Sequence, residues 1–200
     1  MSNDPSEQQQ RFRHNGRIIV VSGPSGVGKG TLLKKVLQTA ELPLELSVSA
    51  TTRAPRPDEK NGVEYFFLPA DEFHWRRENG EFLECFEIFR GGHWYGTLRN
   101  TVESRCAAGK WIVLEIDVQG GLSVQRQFPD AVMIFIHPKN VDILKERLAK
   151  RGTESQEAAE QRLQQAAQEL KLAERYTYHI VNDDLNVAAR ELMDLLKSIE

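Results

Sequence analysis

The apolar positions of the chain fall into two periods. Ile18-Ile19-Val20-Val21 is an unbroken β-branched run, which predicts a buried strand, whereas Leu32-Leu33 and Val36-Leu37 repeat at helical spacing. Leu42-Pro43 breaks the chain, and Glu45-Leu46-Ser47-Val48-Ser49 reads as a short strand. Val63, Tyr65 and Phe67 alternate with Glu64, Phe66 and Leu68, a further strand pattern. A helix over Asp71 to Glu78 is closed by Asn79-Gly80. Phe82, Glu84, Phe86 and Ile88 then fall on one face of a strand, and Gly91-Gly92 predicts a hairpin turn that brings Tyr95 and Thr97 back across from it. A helix from Asn100 to Ala108 ends at Gly109. Trp111 to Asp117 and Ala131 to Ile136 follow as apolar strands, with His179-Ile180-Val181 as a last short one before Asn182-Asp183-Asp184 and a C-terminal helix. Val141 to Ala173 reads as two helices broken near Gly152, with Leu144 and Leu148 on one stripe. Continuous apolar strands alternating with helices predict an α/β fold with a parallel sheet.

Composition narrows the picture. At 200 residues, 40% hydrophobic and 28% charged, the chain can bury one sizeable core with small appendages. A net charge of -3 gives no global case for nucleic-acid binding, so an anion site must come from local cations. The apolar runs are shorter than a membrane span and the N-terminus lacks a signal-peptide pattern, so the expectation is a cytoplasmic protein that binds no membrane. Cys85 and Cys106 fit no metal or redox spacing and read as reduced thiols. Residues 1–15 are polar, carry Gln8-Gln9-Gln10 and lack an apolar period, as a disordered tail does.

The chemistry concentrates between the first strand and the first helix. Gly23-Pro24-Ser25-Gly26-Val27-Gly28-Lys29-Gly30-Thr31 has the spacing and the strand-to-helix context of a phosphate-binding loop. Its glycines let backbone N–H groups turn inward, the helix N-terminus adds positive potential, and Lys29 supplies a cation for the outer phosphates. The usual pattern places a Ser or Thr hydroxyl on Mg²⁺ directly after the lysine; here Gly30 stands there and Thr31 follows, so no direct metal ligand is expected from the loop.

Other candidates are weaker alone. Arg53 and Arg56, with Pro55 restricting the backbone between them, suit a dianion, because guanidinium forks pair bidentately with phosphate. Glu84 among phenylalanines needs either a protein cation or a ligand. Glu115 and Asp117 end a central strand at the carboxyl edge, where open α/β sheets bind ligands. Arg147, Arg151 and Arg162 cluster near the helix break, and His137 and His179 stand alone, without an expected acid, base or metal role.

Seven blocks then coincide in order: Gly-Pro-Ser-Gly-Val-Gly-Lys, Ser-Ala-Thr-Thr-Arg-Ala-Pro-Arg, Asn-Gly-Val-Glu-Tyr-Phe-Phe, Trp-Tyr-Gly-Thr, Glu-Ile-Asp-Val-Gln-Gly, Glu-Arg-Leu-Ala-Lys-Arg-Gly-Thr-Glu and Val-Asn-Asp-Asp. In this the chain resembles the guanylate kinases over Gly16 to Glu200. The resemblance implies a three-layer α/β/α phosphate-loop core (16–45, 98–143 and 170–200), a small mixed nucleoside-monophosphate subdomain (46–97) and a helical lid (144–169). It implies transfer of the γ-phosphoryl group of ATP to GMP or dGMP, with Mg²⁺ accompanying ATP. The GMP phosphate falls to Arg53, Arg56, Tyr65 and Tyr95, and its base to Ser49, Glu84, Thr97 and Asp117. Lys29, Arg147, Arg151 and Arg162 become catalytic, Gly23 to Thr31 hold ATP, and Glu115 and Asp117 orient metal-bound water. Guanine supports this assignment chemically: its adjacent N1–H and N2–H donors match a carboxylate and its O6 matches a hydroxyl, a pattern adenine lacks. Self-association is left open. Two alternatives are a non-catalytic guanylate-kinase-like protein-interaction domain, for which Gly30 is the one argument, and a related sugar-phosphate kinase, which would have no use for Glu84 and Thr97.

Overall fold

The computed structural model describes residues 16–88, 92–140, 144 and 156–200. Strand β1 (Arg17–Ser22) is the expected apolar run, buried from Ile18 onward. Helix α1 (Lys29–Thr39) buries Leu32, Leu33 and Val36, the stripe its spacing predicts. β2 (Leu44–Leu46) is shorter than expected: Ser47 N–H still reaches Val113 O (2.9 Å), but the chain then leaves to start a second strand, β3 (Ala50–Thr51), in a different sheet. The alternation at Val63–Leu68 gives only β4 (Phe66–Phe67). Gly62 N–H bonds Tyr65 O at 2.8 Å, so the residues before β4 form a turn with Val63 exposed.

Helix α2 (Ala70–Glu78) carries Asp71 and Glu72 in its first turn and Arg76 and Arg77 in its last, complementing the helix dipole, and buries Phe73. β5 (Phe82–Ile88) and β6 (His93–Leu98) pair antiparallel as expected. Helix α3 (Arg99–Ala107) buries Val102 and Cys106 and ends before Gly109. β7 (Trp111–Glu115) stops two residues short of the sequence expectation, because Asp117 turns its Oδ1 onto Gly120 N–H (2.7 Å) and opens a helix, α4 (Val118–Gln127). That helix was not expected: Gly120 and Gly121 depress helix propensity. Gly121 is required by packing, since a Cβ there would collide with the Tyr176 hydroxyl. β8 (Val132–His137), helix α5 (Gln156–Lys171), a 3₁₀ turn (Ala173–Arg175), β9 (Tyr178–Val181) and helix α6 (Leu185–Ser198) complete the described chain. The expected tail at 1–15 and most of the segment around Gly152 lie outside the described residues, although Leu144 is helical and buried.

The strands form a five-stranded sheet in the order β2-β7-β1-β8-β9 and a four-stranded one in the order β4-β3-β6-β5. β1, β8 and β9 pair parallel, Ile19 beside Val132 and Ile134 beside Tyr178, and the smaller sheet is mixed. The fold is therefore α/β, with six α-helices among the described residues.

Two compact units are distinguished, each described by itself. One comprises Glu45–Leu114 and Ser123–Ala131 with the residues up to Ile18, and the other Ile19–Leu44, Glu115–Leu122 and Val132–Glu200. In the first unit, Ala50, Phe73 and Phe82 form a core cluster, with the Phe73 and Phe82 rings stacked at 4.4 Å. In the second, α6 lays Ala188, Ala189, Leu192 and Leu196 inward. Asp184 caps its N-terminus by accepting from Asn186 and Val187 N–H. No helix among the described residues is long and apolar enough to cross a membrane.

Candidate active site

In the second unit, β1 feeds a loop whose shape is set by glycine. At Gly23 a Cβ would collide with the Ile136 carbonyl, and Gly28 caps α1 at φ 96°, a left-handed conformation that side-chain-bearing residues rarely take. Pro24 and Val27 are buried, Ser25 and Gly26 half-buried, and Thr31 exposed. Val27 N–H closes the turn on Pro24 O (3.1 Å), and the buried Asn182 donates to Val27 O (2.8 Å) while its own N–H bonds His137 O (2.8 Å). Asn182 thus ties the ends of β8 and β9 to the loop. Lys29 folds its ammonium back over the loop, donating to Gly23 O (2.6 Å) and Pro24 O (3.3 Å).

Acids gather beside this loop. A Cβ at Gly30 would lie 3.3 and 3.4 Å from the two carboxylate oxygens of Glu115, so that carboxylate occupies the space a hydroxyl-bearing side chain at position 30 would need. Burial raises the Glu115 pKa, and the nearby Lys29 charge opposes the shift. Asp117 is engaged as the cap of α4. Glu169 on α5, only 8% exposed, accepts from Gln165 Nε2 through Oε1 (2.8 Å), and its pKa is raised, chiefly by burial. No group of three or more His, Cys, Asp or Glu side chains arranged for direct metal ligation occurs among the described residues.

His137 and His179, expected to be isolated, are hydrogen-bonded to each other through Nε2 and Nδ1 at 2.8 Å, because the parallel β8–β9 pairing brings them onto neighbouring strands. Burial first, and then His179, lowers the His137 pKa below 6.5. A histidine whose folded pKa is depressed is harder to charge folded than unfolded, so its contribution is full above pH 6.5 and is lost as the pH falls through 6.5 toward the folded value. Thermal unfolding at pH 7.5 and 5.5 should show a fall in Tm that shrinks in His137→Asn; equal falls in both proteins would remove the pair from the account.

In the first unit, the expected phosphate-gripping residues converge. Arg53 donates from Nε to the Tyr95 hydroxyl (3.2 Å) and from Nη2 to Glu59 Oε1 (2.9 Å), and it lies over the rings of Tyr65 and Phe67 at 5.5 and 5.7 Å. Burial disfavours its charge, but the bonds to Tyr95 and Glu59 outweigh that and raise its pKa. Tyr65 meets Tyr95 edge-on at 5.7 Å. Arg56 is exposed, and its backbone N–H bonds Glu59 Oε2 (2.8 Å). Glu59 therefore holds the Arg53 guanidinium and the backbone of Arg56, a role the sequence reading missed; the available signal was an acid three residues after Arg56.

The same unit places Glu84 opposite Thr97 on β5 and β6. Glu84 is 9% exposed and Thr97 fully buried, and the Thr97 hydroxyl donates to Glu84 Oε1 at 2.6 Å, the short distance of a charge-assisted bond. The hydroxyl hydrogen of Thr97 is thus committed to Glu84. Ser49 precedes Ala50, whose partner is Gly96, and so approaches the same end of β6 as Thr97. One expectation is corrected here: Phe82 does not share a face with Glu84. The register shifts between them, a bulge at Leu83, so Phe82 turns to the Phe73 core while Glu84 and Phe86 stand on the other face with Thr97 and Tyr95. Arg147 and Arg151 lie outside the described residues. Arg162 falls within α5, but its side chain is outside them.

A parallel α/β sheet carrying a lysine-bearing glycine loop between β1 and α1, together with a mixed sheet presenting an arginine–tyrosine cluster and a buried carboxylate, defines a phosphate-loop nucleotide kinase. The family model described as guanylate kinase matches residues 15–199. The chain is 45% identical over 196 residues to a guanylate kinase of Rhodopirellula baltica, covering 97% of this chain and 94% of that one. It is 46% identical over 182 residues to one of Symbiobacterium thermophilum, covering 90% and 84%. Among solved structures, a guanylate kinase from Anaplasma phagocytophilum superposes with a TM-score of 0.75 at 34% identity, covering 92% of this chain and 86% of that one. The chain belongs to the guanylate kinase family, ATP-dependent nucleoside monophosphate kinases that phosphorylate GMP.

Proposed function

We propose that this chain reads guanine through Glu84 and transfers the γ-phosphoryl group of ATP to GMP or dGMP, giving ADP and GDP. The observation that carries the reading is the buried Glu84–Thr97 pair, a carboxylate oriented by a hydroxyl on the strand face that also bears Tyr95. Glu84 accepts from N1–H and N2–H of the base. Since Thr97 spends its hydrogen on Glu84, the hydroxyl that donates to O6 is assigned to Ser49. Arg53, Arg56, Tyr65 and Tyr95 take the monophosphate, with Glu59 holding the arginines, and Asp117 completes the base set.

The acceptor is an ionised phosphate and needs little general-base help, so the residues act by alignment and charge stabilisation. Gly23 to Thr31 wrap the ATP phosphates with backbone N–H groups. Lys29 leaves the Gly23 and Pro24 carbonyls for the β- and γ-phosphates, and Arg147, Arg151 and Arg162 bring further positive charge from the lid at 144–169. When bound with ATP, Mg²⁺ would supply neutralisation of the phosphate charge. Glu115, whose carboxylate oxygens lie beside Gly30, and Asp117 would hold it with hard oxygen donors, through water. The division into a core (16–45, 98–143, 170–200), a GMP subdomain (46–97) and the lid belongs to the same proposal, as does a place in purine nucleotide metabolism.

A coupled ADP-release assay with GMP, dGMP, AMP, CMP and UMP tests the reading: turnover should be confined to the two guanine nucleotides. Comparable rates with AMP would overturn it. Cell fractionation tests the cytoplasmic location read from the sequence, and sedimentation tests self-association.

A further inference from the structure

Within the second unit, a cavity of about 370 Å³ opens where one face of α5 meets the start of α4. Gln165, Gln168 and Glu169 lie on α5 at helical spacing with Gln164 beside them, Leu172 follows the end of the helix, and Asp117 and Gln119 lie across from them. Glu169 is more than nine-tenths buried, and its Oε2 has no hydrogen-bond partner among the described residues. A buried polar oxygen without a partner is costly, which asks what ligand would satisfy it. The terminal torsion of a glutamate is soft, so a small rotation presents this oxygen to the cavity.

The lining selects the ligand by elimination. Among the described lining residues none is basic, and Lys29, whose charge reaches Glu169, is assigned to the ATP phosphates above, so a further phosphate, which only accepts, finds no counter-charge of its own among them. Among the described residues the carboxylates do not form a cluster able to hold a bare metal ion. Carboxylates accept, whereas glutamine amides both donate and accept, and the group that matches such a mixture is a hydroxyl. Leu172 offers an apolar patch for a carbon edge, and the volume, about a dozen waters' worth at roughly 30 Å³ each, admits a sugar ring. We propose that this cavity receives the ribose of a substrate nucleotide, with Glu169 accepting from a 2′- or 3′-hydroxyl and Gln164 or Gln168 donating to its neighbour. The inference rests on the kinase reading above, which leaves the sugars without a partner.

Calorimetric titration of the wild type and Glu169→Gln tests it, with GMP and its 2′-deoxy and 3′-deoxy forms, and with a non-hydrolysable ATP analogue and its two deoxy forms. In the wild type, one hydroxyl of one series should be worth about tenfold in Kd, as a hydrogen bond to a charged group is. Glu169→Gln should weaken that ribonucleotide about tenfold and leave its deoxy form unchanged, so that the hydroxyl's effect disappears; the guanine or adenine series in which this occurs identifies the nucleotide. Equal changes for ribo and deoxy forms in both series, or none, would overturn the proposal. Should Glu169→Gln not fold, the wild type alone decides, since insensitivity to every deoxy substitution in both series counts equally against the proposal. Failure here leaves base choice at Glu84 standing, whereas turnover of AMP would sink the base reading without touching the ribose coupling.

Discussion

Lys29→Met loses roughly two powers of ten or more in kcat and keeps its fold. Methionine retains the length of the stem but not the ammonium, and removing one preorganised donor from developing transition-state charge typically costs about 10² to 10³ in rate. The same ammonium donates to Gly23 O and Pro24 O within its own loop, and loss of such bonds costs stability on the order of 1 kcal/mol. Turnover in the coupled assay should therefore collapse while thermal unfolding moves by a few degrees. Near-normal rates in the purified variant would remove the phosphate-loop assignment.

The second large effect falls on base choice. Glu84→Gln keeps size and burial but presents an NH₂ group where the proposed complex needs acceptors, so one hydrogen bond to guanine is lost and two donors face each other. The variant must also choose between Thr97 and the base, because its single amide oxygen cannot reproduce both carboxylate oxygens. Charge-assisted bonds are worth about 1.5 to 3 kcal/mol, so kcat/KM for GMP should fall roughly ten- to several-hundred-fold. Affinity for an ATP analogue should hold. Measured side by side for GMP and AMP, an unchanged ratio would show that Glu84 does not read the base.

Much of the architecture was legible because its causes are local. The apolar run of β1, the helical stripe of α1 and the glycine loop between them are neighbours in sequence, and each carries its own physical signature. The arginine–tyrosine cluster was legible residue by residue through the family resemblance, while its organiser Glu59 was not, since an acid in a polar loop looks solvated until its two bonds to Arg53 and Arg56 are seen. α4 was hidden by Gly120-Gly121, and the small size of Gly121 answers to Tyr176, more than fifty residues away. Asn182, Glu169 and the His137–His179 pair are likewise products of chain crossings that no period announces. The Leu83 bulge is the sharpest case. A strict alternation puts Phe82 beside Glu84, and only the pairing with β6 reveals the added residue.

That extra residue sets which genetic changes the strand can survive. Because the bulge turns Phe82 inward and Glu84 to the opposite face, point substitutions at Glu84 or Thr97 fall on a face against which Phe73 does not pack. Loss of a single codon at Leu83 has no such freedom: it would drive the carboxylate against the aromatic cluster or strip Phe82 from it. Drift by substitution is open to this strand, and drift by deletion is closed.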